Sequence, residues 1–168
     1  MKHLAAISLL LSTPAAAEVV SADAHGFEVR ESVQTSVPPA VAWATFVRIG
    51  QWWSVEHSYS GNAANLSLDA RAGGCFCERV GSGGGVEHMR VAVTLPPKRL
   101  VLTGSLGPLL YEAANGVMDV KFDPSAKGTI VTLDYRASGF VHANGDKLAP
   151  AVDQVLGEQL RRYSASIK

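Results

Sequence analysis

The sequence predicts an α+β domain in which an antiparallel sheet, polar on one face, is closed by one long C-terminal helix. Two patterns carry this. Along residues 27–37 one face reads Phe27, Val29, Glu31, Val33, Thr35, Val37 and the other Glu28, Arg30, Ser32, Gln34, Ser36. Such alternation marks a strand covered on one side only. Near the C-terminus Leu148, Val152, Val155, Leu156, Leu160, Tyr163 and Ile167 recur at spacings of three and four, one face of an amphipathic helix.

Ahead of the first strand, Met1-Lys2-His3 carries a fixed positive charge, Leu4 to Leu11 a short apolar core, and Ala15-Ala16-Ala17 a small-residue cleavage site before Glu18. Residues 1–17 are therefore expected to be a secretory signal peptide, 18–26 an N-terminal extension and 27–168 one domain, with the mature protein periplasmic or secreted. The apolar run is about half of the ~20 residues that a membrane span needs. No later segment is apolar enough to span a bilayer either. Without the leader, roughly 150 residues remain, enough for a single core. Fifteen basic residues balance fifteen acidic ones and no basic cluster occurs, so the electrostatic footprint of a nucleic-acid binder is missing.

The remaining elements follow in order. Pro38 and Pro39 cannot continue the first strand but suit the first turn of a helix, and Val41, Trp43, Ala44, Phe46 and Val47 then fall at helical spacing. Gly50 ends that helix, and residues 51–55 are expected to start a second short one. Strands are expected over 65–68, 73–80, 86–95, 100–106, 116–122 and 129–137. A five-residue loop, Gly81-Ser82-Gly83-Gly84-Gly85, joins the second and third of these. If it is symmetric about Gly83, Val80 faces Val86, Arg79 faces Glu87, Glu78 faces His88 and Cys77 faces Met89. Gly157, inside the long helix, costs about 1 kcal/mol against alanine, which is reasonable where the backbone passes close to another element.

The succession Val37-Pro38-Pro39, Ala40-Val41-Ala42-Trp43, Trp52-Trp53-Ser54 and Gly73-Gly74-Cys75-Phe76-Cys77 resembles that of the START-like, helix-grip proteins of the SRPBCC group. These include polyketide cyclases, plant allergens of the birch-pollen type, lipid carriers and chaperone-ATPase activator homologues. The resemblance implies a sheet of about six or seven strands curled around the long helix, two short helices after the first strand, and a cavity between sheet and helix. It also puts Trp52, Trp53, His57 and Tyr59 at the cavity mouth.

Glu31 is the sharpest anomaly, a carboxylate on an otherwise apolar face, where burial costs several kcal/mol unless the group is paired or protonated. It is expected to be either a polar contact or general base inside the cavity, or a strand-end residue reaching solvent. Of Trp52 and Trp53, one should pack as core and one border the pocket, since aromatic rings there suit an amphiphilic ligand. Lone histidines such as His57 are more often structural or exposed. Phe122, Leu133 and Tyr135, on the apolar face of the last hairpin, complete the expected ligand-binding wall.

Glu78 and His88, as cross-strand neighbours, could act as a carboxylate orienting an imidazole. The periodicity of Cys75, Cys77, Met89, Val91 and Val93 claims the interior for the opposite face and favours Glu78, His88 and Arg90 as a solvated stripe. The register usual in the resembling proteins would instead turn Phe76 and Glu78 inward. Two residues apart on an extended strand, Cys75 and Cys77 have Cα atoms ~6.5 to 7 Å apart, poor for a bond between them, so either the pair is buried and reduced, the outcome expected, or the strand is locally distorted. With Met89 they could form a soft metal-ligand cluster, but three sulfurs without a histidine fit core packing better. No metal or cofactor is expected. Gly81 to Gly85 leads into a strand rather than a helix, so it is not a phosphate loop, and no Gly-x-Ser-x-Gly elbow occurs.

Two functions stay open beside a third, bland class, an interaction or assembly domain using the sheet edge or outer face. One is an exported binding protein for a small apolar or amphipathic molecule of lipid, polyketide or aromatic type. The other is a cyclase-like or other acid/base enzyme in which Glu31, or Glu78 with His88, moves protons on a ligand held in the same cavity.

Overall fold

A computed structural model describes residues 16–167. The chain is an α+β protein whose single antiparallel sheet has eight strands in the order β1-β2-β8-β7-β6-β5-β4-β3. These are β1 (Ala16–Ala22), β2 (Gly26–Thr35), β3 (Leu66–Leu68), β4 (Cys75–Val80), β5 (Gly84–Leu95), β6 (Arg99–Gly104), β7 (Asn115–Ser125) and β8 (Gly128–Ser138). A short helix α1 (Pro39–Phe46) follows β2, and a long helix α2 (Gly145–Ser166) closes the chain. Most of the expected signal peptide lies outside the described residues. Among those described, no helix is long and apolar enough to cross a membrane.

β2 behaves as its alternation dictates: Phe27, Val29, Glu31, Val33 and Thr35 are buried, while their alternates reach the outer face. It pairs with β8 along its whole length, Val29 opposite Tyr135 and Glu31 opposite Leu133. On its other side lies β1, which takes in the last two residues of the expected signal peptide and the first part of the expected N-terminal extension. This edge strand shows no alternation: Val19 and Val20 are both exposed, and a bulge interrupts the pairing between Val19 and Ser21. The outer face is held by charge rather than packing. Arg99 makes a two-pronged contact to Asp119 at 2.8 Å on each arm, Arg30 and Lys121 converge on Asp134, and Arg136 reaches Glu28.

The concave face carries the core. α1 buries Ala42 and Phe46, and Phe46 packs edge-on against both Phe122 and Tyr163. Tyr163 donates its hydroxyl to the Ala42 carbonyl at 2.8 Å, tying α2 to α1. α2 starts three residues before the expected Leu148, and its inner side buries Ala149, Leu156, Gly157, Leu160 and Tyr163 over the sheet. In place of one helix over 51–55, two single turns of 3₁₀ helix occur, Ile49–Gln51 and Val55–His57. Side-chain hydrogen bonds explain the break: Trp52 Nε1 donates to the Phe46 carbonyl at 3.1 Å, and Trp53 Nε1 to the His57 carbonyl at 2.8 Å. Each indole is anchored to a different backbone turn, and a continuous helix could not serve both.

The β4–β5 hairpin corrects the expected register. Pairing starts at Val80 opposite Gly84, around the shorter loop Gly81-Ser82-Gly83, so Glu78 faces Val86 and Cys77 faces Glu87. Gly81 and Gly83 both hold positive φ, 56° and 98°, which lets three residues reverse the chain. A bulge then leaves His88 as the extra residue of β5, and Phe76 pairs with Met89. His88 and its neighbour Met89 are consequently both buried.

Candidate functional site

A cavity of about 480 Å³ opens between the first half of α2, residues 53–59 and the segment running from Leu106 to Tyr111. Its walls are mostly apolar, with Trp53, Leu109, Leu148, Val152 and Leu156 among them. His88 lines it from the sheet side. The segment after β6 forms one rim because the strand stops at Gly104, and a 3₁₀ stretch, Gly107–Glu112, then carries Leu109 inward and leaves Tyr111 outside.

Trp53, His57, Tyr59 and His88 meet at this cavity. His57 also reaches α2, its Nε2 3.4 Å from the Glu158 carboxylate. Trp52 is core, wedged between Phe46 and Tyr163 at ring separations of 5.2 and 5.5 Å. Phe122, Leu133 and Tyr135 lie deeper, in the core between sheet and helices rather than in the cavity wall. Burial pushes the Tyr135 phenol up to about 12, against an opposing pull from the Leu106 backbone.

Glu78 and His88 are brought together inside the fold, not on a solvated stripe. Glu78 is 1 % exposed and His88 4 %. The carboxylate accepts the backbone N–H of Ser60 at 2.6 Å and of Tyr59 at 3.0 Å, and His88 Nε2 lies 3.1 Å from its Oε2. Burial alone would raise Glu78, but hydrogen bonds from Ser60, Tyr59 and His88 outweigh it and hold the group below its usual value. His88 is pushed below its usual value by burial, only partly offset by Glu78, so near neutral pH the ring is uncharged. An ionised carboxylate can only accept, so Nε2 carries the ring proton and Nδ1 is a bare acceptor. Phe76 lies against the ring at 4.8 Å, tilted by 30°, and in turn meets Trp53 at 5.4 Å.

Glu31 stands apart from this cavity. It is 1 % exposed beneath α2, and its Oε1 has no hydrogen-bond partner among the described residues. Burial, reinforced by the neighbouring Asp153 carboxylate and only weakly opposed by Arg161, raises it to about 8.

The cysteines correct a second expectation. Cys75 and Cys77 are joined in a disulfide, with Cα atoms 5.3 Å apart. β4 contracts there, beside the β5 bulge, so the spacing of an ideal extended strand does not apply. Both side chains are half-buried while Phe76 between them points inward, so they form no sulfur cluster with the buried Met89. Among the described residues no group of three or more His, Cys, Asp or Glu is placed to hold a metal ion.

Sequence reading missed the rim at Leu106, Pro108, Leu109 and Tyr111. A signal was present: Leu106-Gly107-Pro108-Leu109-Leu110-Tyr111 is strongly apolar, yet has no strand alternation and follows a strand end. An apolar connection of this kind packs on something or walls a pocket.

No protein-family model matches the sequence, and no curated protein matches it. Solved structures do share the architecture. A protein of unknown function from Staphylococcus aureus superposes with a TM-score of 0.61 at 13% identity, over 84% of this chain and 93% of that one. An uncharacterised protein from Rhizobium leguminosarum gives 0.59 at 18% identity, over 91% of this chain and 97% of that one. A protein from Mesorhizobium loti gives 0.57 at 16% identity, over 82% of this chain and 94% of that one. At these identities the likeness defines the class of fold, a large antiparallel sheet gripped by a C-terminal helix, and nothing finer.

Proposed function

We propose that the chain is an exported, START-like binding protein that takes a small apolar or amphipathic molecule into the cavity between the sheet and α2. One observation carries the reading: about 480 Å³ of mostly apolar space that the core leaves unfilled, with a buried imidazole in its wall. Sites of this size and character, apolar with few convergent polar groups, suit small ligands. The leader pattern supports export, as does the Cys75–Cys77 disulfide, since such bonds persist in oxidising compartments. Native mass spectrometry of gently purified protein tests the reading. A co-purifying small molecule that is displaced by an apolar competitor is expected; failure of every apolar probe to bind would sink it.

The Glu78–His88 pair favours a second reading, acid/base catalysis on the bound molecule. A carboxylate that fixes the tautomer of a neutral imidazole is the arrangement a general base needs. Under this reading His88 Nδ1 takes a proton from the ligand and Glu78 stabilises the imidazolium that forms. Glu78→Gln would then keep binding and lose turnover.

A further inference from the structure

We infer that the cavity selects uncharged, largely aromatic or apolar molecules carrying one hydroxyl group, phenol or alcohol, whose O–H donates to His88 Nδ1. This rests on the binding reading above and names the ligand class for that cavity.

The polar atoms of the cavity wall single out one acceptor. Nδ1 has no hydrogen-bond partner among the described residues, yet it is not enclosed by protein as the orphaned oxygens of Glu31 and Tyr135 are. The opening that His88 lines is the cavity. The other polar side chains of the wall are nearer solvent or already occupied. Ser58 donates its hydroxyl to the Val55 carbonyl, His57 faces Glu158, Glu56 is exposed at the mouth, and Tyr59 and Tyr111 are 40 % and 69 % exposed. His88, at 4 %, is the deep polar contact.

The sign of that contact sets the chemistry. Because Nε2–H is committed to Glu78, the ring can only accept from a ligand. A hydroxyl satisfies it, whereas an ether of the same shape leaves the nitrogen unpaired and strips it of water, a penalty that falls wholly on the wrong ligand. A carboxylate fares worse still. It brings no donor, it meets no cation in the depth of the cavity, and the negative Glu78 stands directly behind the imidazole. The pocket is thus set against fatty-acid-like anions entering head first, although its walls would suit their tails. The imidazole is also rigidly presented. Phe76 covers one side at 4.8 Å and the Glu78 bond fixes rotation, so little ordering cost is left for the ligand to meet.

The test uses three compounds of nearly equal shape, a naphthol, its methyl ether and the corresponding naphthoate. Binding to the full chain is measured by calorimetry at neutral pH, where the naphthol is uncharged and the naphthoate ionised. The naphthol should bind roughly fivefold to tenfold more tightly than the ether, with the naphthoate weakest. In His88→Phe the preference for naphthol over ether should vanish, the naphthol losing its acceptor and the ether gaining because no nitrogen is left to be stripped of water. A second measurement does not depend on that variant folding. The ¹⁵N resonance of His88 Nδ1 in the natural protein should move on adding the naphthol and stay nearly still with the ether. Equal affinity for naphthol and ether would overturn the inference and leave the binding reading standing. So would a naphthol preference that survives in His88→Phe, because the acceptor would then lie elsewhere. If none of the three binds, this inference falls, and the binding reading then stands or falls with the co-purifying molecule sought by native mass spectrometry.

Discussion

Gly157 of α2 lies directly over Glu31 of β2: a β-carbon on this glycine would sit 2.9 Å from Oε1 and 3.1 Å from Oε2. The glycine in the helix and the carboxyl group in the apolar strand face, two separate oddities of the sequence, are one feature of the fold. The bare helix backbone makes the room that the buried carboxyl occupies.

Gly157→Ala should therefore destabilise the protein, although alanine is favoured over glycine in a helix by about 1 kcal/mol. The enclosed carboxyl must move, and overpacking of this kind costs roughly 1 to 3 kcal/mol. In a Glu31→Ala background the same substitution should become neutral or stabilising. Chemical denaturation of the four proteins of this double-mutant cycle measures the coupling; additive effects would show that the two positions do not compete for space.

Stability should fall as pH rises through the neutral range. Glu31 has its folded value raised to about 8 from an ordinary 4.5. Between these two the unfolded chain has lost the proton and the folded chain still holds it, so the unfolded state is favoured progressively, by a few kcal/mol at most and roughly. Below the lower value the effect is absent, and above the upper one it is complete. Glu31→Gln should remove this slope and be as stable as the natural protein, or more so, near neutral pH. An NMR titration placing Glu31 at or below the ordinary value would refute the assignment.

Trp53→Ala and Tyr59→Ala should each weaken uptake of an apolar fluorescent probe, by about 1 to 3 kcal/mol for a well-buried ring and less for the half-exposed tyrosine. Arg136→Ala should change little, because that side chain faces solvent on the outer sheet and contacts Glu28. Indistinguishable affinities for the three variants would mean that the probe binds elsewhere.

Intact mass of the native protein should be two hydrogens below the dithiol value, reflecting the Cys75–Cys77 bond. Cys75→Ser should cost about 1 to 2 kcal/mol, a small figure because the bond closes a loop of only a few residues. It should also weaken probe binding, since Phe76 between the cysteines packs against His88.

The strongly patterned parts of this fold could be read from the sequence. β2 and α2 announce themselves because burial on one side imposes a period, and the last hairpin, β7 with β8, does so for the same reason. β1 could not be read. An edge strand with both valines exposed has no buried side to impose alternation. The β4–β5 hairpin misled in a more instructive way. Counting sulfur-bearing residues as apolar put Cys75 and Cys77 inside. The positive φ of Gly81 and Gly83 and the bulge at His88 then changed the register twice, in ways that hydrophobic periodicity does not encode. The pairing of Glu78 with His88 was nonetheless legible as proximity, though not as burial. The cavity rim at Leu106 to Tyr111 was hidden because its residues belong to no periodic element.

The bulge on β5 has an evolutionary consequence. His88 is the residue β5 has in excess over β4, with Cys77 paired to Glu87 before it and Phe76 to Met89 after it. The imidazole is thus an insert hung on a complete ladder rather than one of its rungs. A relative one residue shorter at this point could keep every neighbouring pair of the hairpin, with an uninterrupted β5 and no deep acceptor. Lineages sharing this architecture could gain or lose the chemistry of the pocket by a single codon, while the scaffold around it stayed the same.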